Sequence, residues 1–133
     1  VKYLIDSNVL LEAALRRKRW QEAAEFLAKT PSADLAIADF SLHAIGFYLI
    51  RLTPQIFDQI VADIVGRNVS VLRMEPDQLQ MVISNAVKYR LDFDDAFVYT
   101  IAELHRLQIV SFDKHFDATQ RGRKTPAEIQ AGR

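Results

Sequence analysis

Short apolar runs alternate along this chain with longer stretches in which apolar residues recur every three to four positions. The first run, Tyr3-Leu4-Ile5, meets Asp6-Ser7-Asn8 and reads as a buried strand ending in a polar turn and a helix start. Val9, Leu10, Ala13 and Ala14 continue at helical spacing. A basic run, Arg16 to Arg19, precedes Trp20, and Trp20, Ala23, Ala24 and Leu27 predict a second helix that ends before Pro31. Leu35-Ala36-Ile37, flanked by Asp34 and Asp39, predicts a second strand, and the spacing from Phe40 to Leu52 predicts a helix. Thr53-Pro54 caps the next helix, with proline at its first position, and that helix runs to about Val65 and stops at Gly66. Val69 to Leu72 is a third strand, helices are expected from Pro76 through Tyr89 and from Asp92 through Arg106, and Gln108-Ile109-Val110-Ser111 is a fourth strand. A polar, basic tail from Arg121 to Arg133 contains Thr125-Pro126-Ala127-Glu128, which has the pattern of a short capped turn.

Short β-branched strands separated by helices imply a parallel sheet covered on both faces. The expected fold class is α/β: a three-layer α/β/α domain with a central parallel sheet of four or more strands. With no internal repeat, low-complexity tract or linker, residues 1–133 read as a single domain.

Composition narrows the function only a little. A hydrophobic share of 50% with 26% charged residues belongs to a chain that can bury a core and not to a disordered one. Lys plus Arg and Asp plus Glu are balanced at 17 each, so a nucleic-acid partner would have to be held by local patches. The absence of cysteine excludes disulfides, thiolate chemistry and cysteine-ligated zinc, and fits a cytoplasmic location. No apolar stretch approaches the roughly 20 residues that span a bilayer, and the chain opens on a strand-like run with no signal-peptide pattern.

The chemistry is expected where the acids are. In an open parallel sheet, ligands bind beyond the carboxyl ends of the strands. Asp6 follows the first strand, Asp39 the second and Asp113 the fourth, while Asp92, Asp94 and Asp95 open the helix just before the fourth. Converging carboxylates repel one another unless a cation neutralises them. Hard oxygen ligands select Mg2+ or Mn2+, and such an ion activates water and stabilises an in-line displacement at phosphorus. Taken singly, Asp6, Asp39 or Asp92 reads first as a helix cap. The set, at successive strand ends, favours a metal site. No phosphate-cradling glycine loop accompanies it, which argues against nucleotide triphosphate binding. A phospho-acceptor domain also gathers acids at strand ends, but Lys114 directly follows Asp113, a poor spacing for that chemistry.

Three segments resemble the motifs of PIN domains: Leu4-Ile5-Asp6-Ser7-Asn8-Val9-Leu10-Leu11 near the start, Tyr89 to Phe97 with its Asp95-Ala96 pair, and Ile109-Val110-Ser111-Phe112-Asp113-Lys114-His115-Phe116 near the end. Their order and spacing cover nearly the whole chain. The resemblance implies a metal-dependent endoribonuclease, of the kind found as toxins in VapC-like toxin–antitoxin pairs, with Asp6, Asp95 and Asp113 as catalytic metal ligands. It implies that Ser7 or Asn8 supports Asp6, that Asp92, Asp94 and Asp117 are secondary acids, and that Mg2+ or Mn2+ is the cofactor. RNA, an antitoxin protein and a second copy of the chain are the implied partners.

One departure stands out. The family places a glutamate early in the helix after the second strand, whereas Ile37 to Gly46 contains none and has Ala44 or a neighbour at that place. Asp39 and His43, four residues apart and so on one helical face, are candidate substitutes. The alternative is a catalytically weakened PIN-like module that binds RNA or protein. Of the other histidines, His105 is expected at a helix C-terminus and His115 at the edge of the site. Arg16, Arg17, Lys18 and Arg19 are candidate RNA contacts or a solvated basic turn. Trp20 and Phe26 read as core rather than base-stacking residues. The apolar set Phe47, Tyr48, Ile50, Phe57, Ile60 and Val61 either completes the core or meets a partner.

Overall fold

The computed structural model describes residues 1–132; Arg133, the end of the basic tail, lies outside them. Its elements are β1 (Tyr3–Ile5), α1 (Ser7–Ala14), α2 (Trp20–Lys29), β2 (Leu35–Ala38), α3 (Asp39–Leu52), α4 (Pro54–Gly66), β3 (Ser70–Leu72), α5 (Leu79–Tyr89), α6 (Phe93–His105), β4 (Gln108–Val110) and α7 (Pro126–Ala131). Each expected strand and helix is present. The main shift is at Pro76, which opens a 3-10 turn over Pro76–Gln78 and leaves α5 to begin at Leu79. The turn is closed locally, because the Glu75 N–H donates to Gln78 Oε1 at 2.8 Å.

The four strands are parallel, in the order β3-β2-β1-β4. Alternate residues of each strand face opposite sides, as the pleat requires. Leu4, Ala36, Ala38 and Ile109 pack with Val82 of α5 and with Ala96 to Ala102 of α6. Ile5, Leu35 and Val110 pack on the other face with Val9, Ala23, Phe26 and Ile129, from α1, α2 and α7. Ile37 joins Ile45 and Leu49 of α3 and Ile60 and Ile64 of α4. Seven α-helices among the described residues thus flank a sheet whose strands β1, β2 and β4 are largely buried on both faces, with β3 a more exposed edge, the three-layer arrangement expected.

Two local features aim the helices at one edge. The chain leaves β1 for β2 on one side, while β4 arrives on the other, so the topological switch lies between β1 and β4. The turn from α5 into α6 runs through Arg90 at φ +55, after which the Leu91 N–H returns to the Ala86 carbonyl at 3.0 Å. The buried Leu91 side chain anchors this C-cap, and the acid-rich start of α6 follows it directly.

The apolar set on α3 and α4 divides. Ile60 is core, whereas Phe47 is 85% exposed and Tyr48 and Ile50 also face solvent. Phe26 is fully buried, but Trp20 is only partly so and lies beneath the Arg16 guanidinium at 5.0 Å. No helix among the described residues is long and apolar enough to cross a membrane.

Candidate functional site

Asp6 follows β1 and caps α1, with Oδ1 accepting from the Ser7 N–H at 2.9 Å. Its Oδ2 accepts from Ser111 Oγ at 2.7 Å and from Asn8 Nδ2 at 3.2 Å. Register makes this possible: Ile5 pairs with Val110, so the residues after the two strands are neighbours. Ser111 Oγ also accepts from Asn8 Nδ2 at 3.1 Å and from the Asp113 N–H at 2.9 Å, while the Phe112 N–H donates to Asn8 Oδ1 at 3.2 Å. One small network therefore ties the exits of β1 and β4 together. Asp6 is only 7% exposed, and burial raises its pKa to about 6 despite the Ser111 and Ser7 hydrogen bonds. The negative charges of Asp113 and Asp94 act in the same direction as burial.

Asp95 sits in the first turn of α6, and Asp113 heads the 3-10 turn Lys114–Ala118. The His115 N–H donates to Asp113 Oδ1 at 2.8 Å. The His115 ring Nδ1 lies 3.2 Å from Asp113 Oδ1 and 3.3 Å from Asp95 Oδ2. Burial, followed by the charge of Asp113, raises the Asp95 pKa to about 6, against the pull of the His115 hydrogen bond. The hydrogen bond to Asp95, and then the charge of Asp113, raise the His115 pKa in turn.

Asp6, Asp95 and Asp113 open on a cleft of about 210 Å3 whose lining also includes Asn8, Ala44 and Asp94 but no histidine, lysine or arginine. The buried Asp6 and the half-buried Asp95, both with raised proton affinity and with no lysine or arginine lining the cleft, form with Asp113 a hard-oxygen donor set that fits Mg2+ or Mn2+. The cleft thus collects Asp6, Asp94, Asp95 and Asp113, with Ser7 and Asn8 beside them. A larger cleft of about 840 Å3 lies at the opposite end of β1 and β4, where Lys2, Arg106, Arg121 and Lys124 mix with Glu103 and Glu128. It brings together no comparable group of carboxylates.

Other candidate residues lie elsewhere. Asp92 holds the N-cap position of α6 and is exposed. The Asp39 carboxylate accepts from the Phe40 N–H of its own helix at 2.7 Å, and His43 is exposed; neither lines the cleft. Ala44 does line it, at the place where a glutamate was expected. Asp117 makes a two-point pair with Arg123 at 3.0 and 3.1 Å and is also absent from the lining. In the basic run, Arg17 donates to Tyr48 Oη at 2.8 Å, Arg19 pairs with Glu22 and stacks 4.5 Å from the Phe112 ring, and Lys18 is exposed. Sequence reasoning underused Ser111 and His115. The Ser-x-Asp-x-His spacing at the end of β4 was the available signal.

Comparison with known proteins now bears on these features. No curated protein matches the sequence. Among solved structures, VapC20 of Mycobacterium tuberculosis, described as a sarcin-ricin loop cleaving toxin, is similar at TM-score 0.78 and 17% identity, covering 90% of this chain and 96% of that one. A toxin–antitoxin complex from Klebsiella pneumoniae is similar at TM-score 0.71 and 22% identity, covering 94% and 98%. FitAcB from Neisseria gonorrhoeae has the same TM-score, 0.71, at 16% identity and the same coverage, 94% and 98%. At these identities the likeness is one of fold. The model of the PIN domain matches residues 3–122, taking in all four strands and every acid that lines the cleft, and the chain belongs to the PIN-domain family.

Proposed function

We propose that this protein is a Mg2+- or Mn2+-dependent endoribonuclease that hydrolyses RNA phosphodiesters, and that it is the toxin of a toxin–antitoxin pair. The observation carrying this reading is the convergence of Asp6, Asp95 and Asp113 in a cleft at the switch between β1 and β4, with no basic side chain lining it. Proteins of the family are typically metal-dependent nucleases, and structural neighbours include toxin–antitoxin complexes. Residues 1–133 are read as one such domain, acting in the cytoplasm.

In this reading Asp6, Asp95 and Asp113 hold the cation. Bound there, it supplies an electrophile that makes water more acidic and offsets charge on the phosphate. The protein's part is orientation. Ser111 and Asn8 fix the Asp6 carboxylate, and the same serine hydroxyl fixes the backbone that presents Asp113. Asp94 adds negative charge at the rim. Arg19, stacked on Phe112 beside Ser111, brings the end of the basic run near the site, where Arg16, Arg17 and Lys18 continue it toward an RNA backbone. The exposed Phe47 and Ile50 on α3 offer apolar area to an antitoxin or a second copy.

Ala44 favours a second reading, in which the cleft lacks a carboxylate and the domain binds RNA or protein without cutting. Cleavage of a mixed single-stranded RNA pool in Mn2+ separates the two, with Asp6→Asn, Asp113→Asn and a chelator as controls. Metal-dependent cutting by the parent, lost in both variants, supports the nuclease. Equal behaviour of parent and variants supports the binding module.

A further inference from the structure

We propose that His115 is a nitrogen ligand of the cation held by Asp95 and Asp113, and that it biases this site toward Mn2+ over Mg2+. The inference rests on the metal-dependent reading above and deepens it.

The geometry carries it. Metal–donor bonds of about 2.1 Å meeting at right angles place adjacent donors about 3 Å apart. His115 Nδ1 already lies 3.2 Å from Asp113 Oδ1 and 3.3 Å from Asp95 Oδ2. One ligand atom from each of the three residues falls within 4.8 Å of the others. The ring is not carried by a loose loop. The His115 backbone N–H donates to Asp113 Oδ1, and the next residue, Phe116, is fully buried, so the 3-10 turn fixes the His115 backbone against that carboxylate. The other two imidazoles are elsewhere, with His43 exposed on α3 and His105 at the far end of α6.

Chemistry supplies the selectivity. Mg2+ prefers oxygen and holds its waters, whereas Mn2+ accepts imidazole more readily. Ala44 leaves the cleft without one oxygen donor, and His115, beside Asp95 and Asp113, adds a nitrogen donor to that group. The shift in donor type follows from where the side chains lie and needs no change in the remaining carboxylates.

The test is Mn2+ titrated into the full chain and into His115→Gln, read by pulsed electron paramagnetic resonance for nitrogen-14 coupling and by calorimetry for Mn2+ and Mg2+ affinity. The expected result is a directly bound nitrogen in the parent that disappears in His115→Gln. Mn2+ affinity should fall about tenfold while Mg2+ affinity changes little. Because the His115 side chain is 69% exposed, the variant should melt as the parent does, which a thermal scan checks. Mn2+ bound tightly with no nitrogen coupling, or with coupling that survives in His115→Gln, overturns the proposal and leaves the metal site standing. Failure of the parent to bind Mn2+ at all overturns the metal-dependent reading and this proposal with it.

Discussion

Ser111 Oγ donates to Asp6 Oδ2 across 2.7 Å, and by this bond the residue after β4 sets the carboxylate after β1. The same oxygen receives the Asp113 N–H, so one hydroxyl positions two of the acids. Ser111→Ala should leave the fold in place and weaken Mn2+ binding about 10- to 100-fold, the usual effect of losing a partner that orients a metal ligand. Calorimetric titration of the two proteins checks it; equal affinities would remove Ser111 from the site.

Asp6 predicts an unusual pH dependence. Its folded pKa is about 6 against an ordinary value of 3.8, so between those values the folded chain holds a proton that the unfolded chain releases. The associated stabilisation is complete below about pH 3.8 and is lost as pH rises through about 6. In chelator, Asp6→Asn should therefore be more stable than the parent at pH 7.5. The ceiling is about 3 kcal/mol, from 1.36 kcal/mol per pKa unit, less what the amide loses in hydrogen bonding. The advantage should shrink toward zero near pH 4. Denaturant melts at the two pH values measure it, and a less stable Asn variant at pH 7.5 would show that the hydrogen bonds to Asp6 outweigh its burial.

Asp113 and Asp117 lie four residues apart on one 3-10 turn, yet only Asp113 lines the cleft, while Asp117 is held by Arg123. Asp113→Asn should reduce Mn2+ affinity by at least about 100-fold, and Asp117→Asn by less than about threefold. Asp117 is 57% exposed, so its ion pair is worth only about 0–1 kcal/mol and the second variant should also melt close to the parent. A large loss of metal in Asp117→Asn would mean that the carboxylate leaves Arg123 when the ion arrives.

Ala44→Glu would place a further carboxylate on the wall of the cleft that already presents Asp6, Asp95 and Asp113. Mg2+ affinity should rise on the order of tenfold, equivalent to about 1.4 kcal/mol. Without metal the variant should melt below the parent, because another negative charge joins groups that already repel. Paired melts with and without Mg2+ check both signs. Unchanged Mg2+ affinity would mean that the new side chain points out of the cleft.

Much of this arrangement could be read from the chain before any coordinates. Apolar runs ending in Asp6 and Asp113 marked two strand exits, and adjacency in a parallel sheet did the rest. Asp39 and Asp117 were legible as acids near strand or turn ends, but not as groups already satisfied, because a Phe40 N–H and an Arg123 guanidinium claim them at short range. His115 was legible only as a residue at the edge of the site. The Ser-x-Asp-x-His spacing puts it near Asp113, but its approach to Asp95 depends on the tightness of a 3-10 turn and on the angle of α6. Trp20 looked like core by helical phase, yet α2 turns it partly outward beneath Arg16.

The placement of β4 beside β1 carries a consequence for the order of events in synthesis. Asp6 closes the first strand of this domain, and its hydrogen-bond partner Ser111 stands 105 positions later. A chain halted before Asp113 can hold the three adjacent strands β3, β2 and β1, but it cannot close the acidic pocket. Contacts of such long range form slowly, since the intervening chain must be ordered first. Whatever chemistry the cleft performs is therefore withheld from any nascent chain in which β4 and Asp113 have yet to be made.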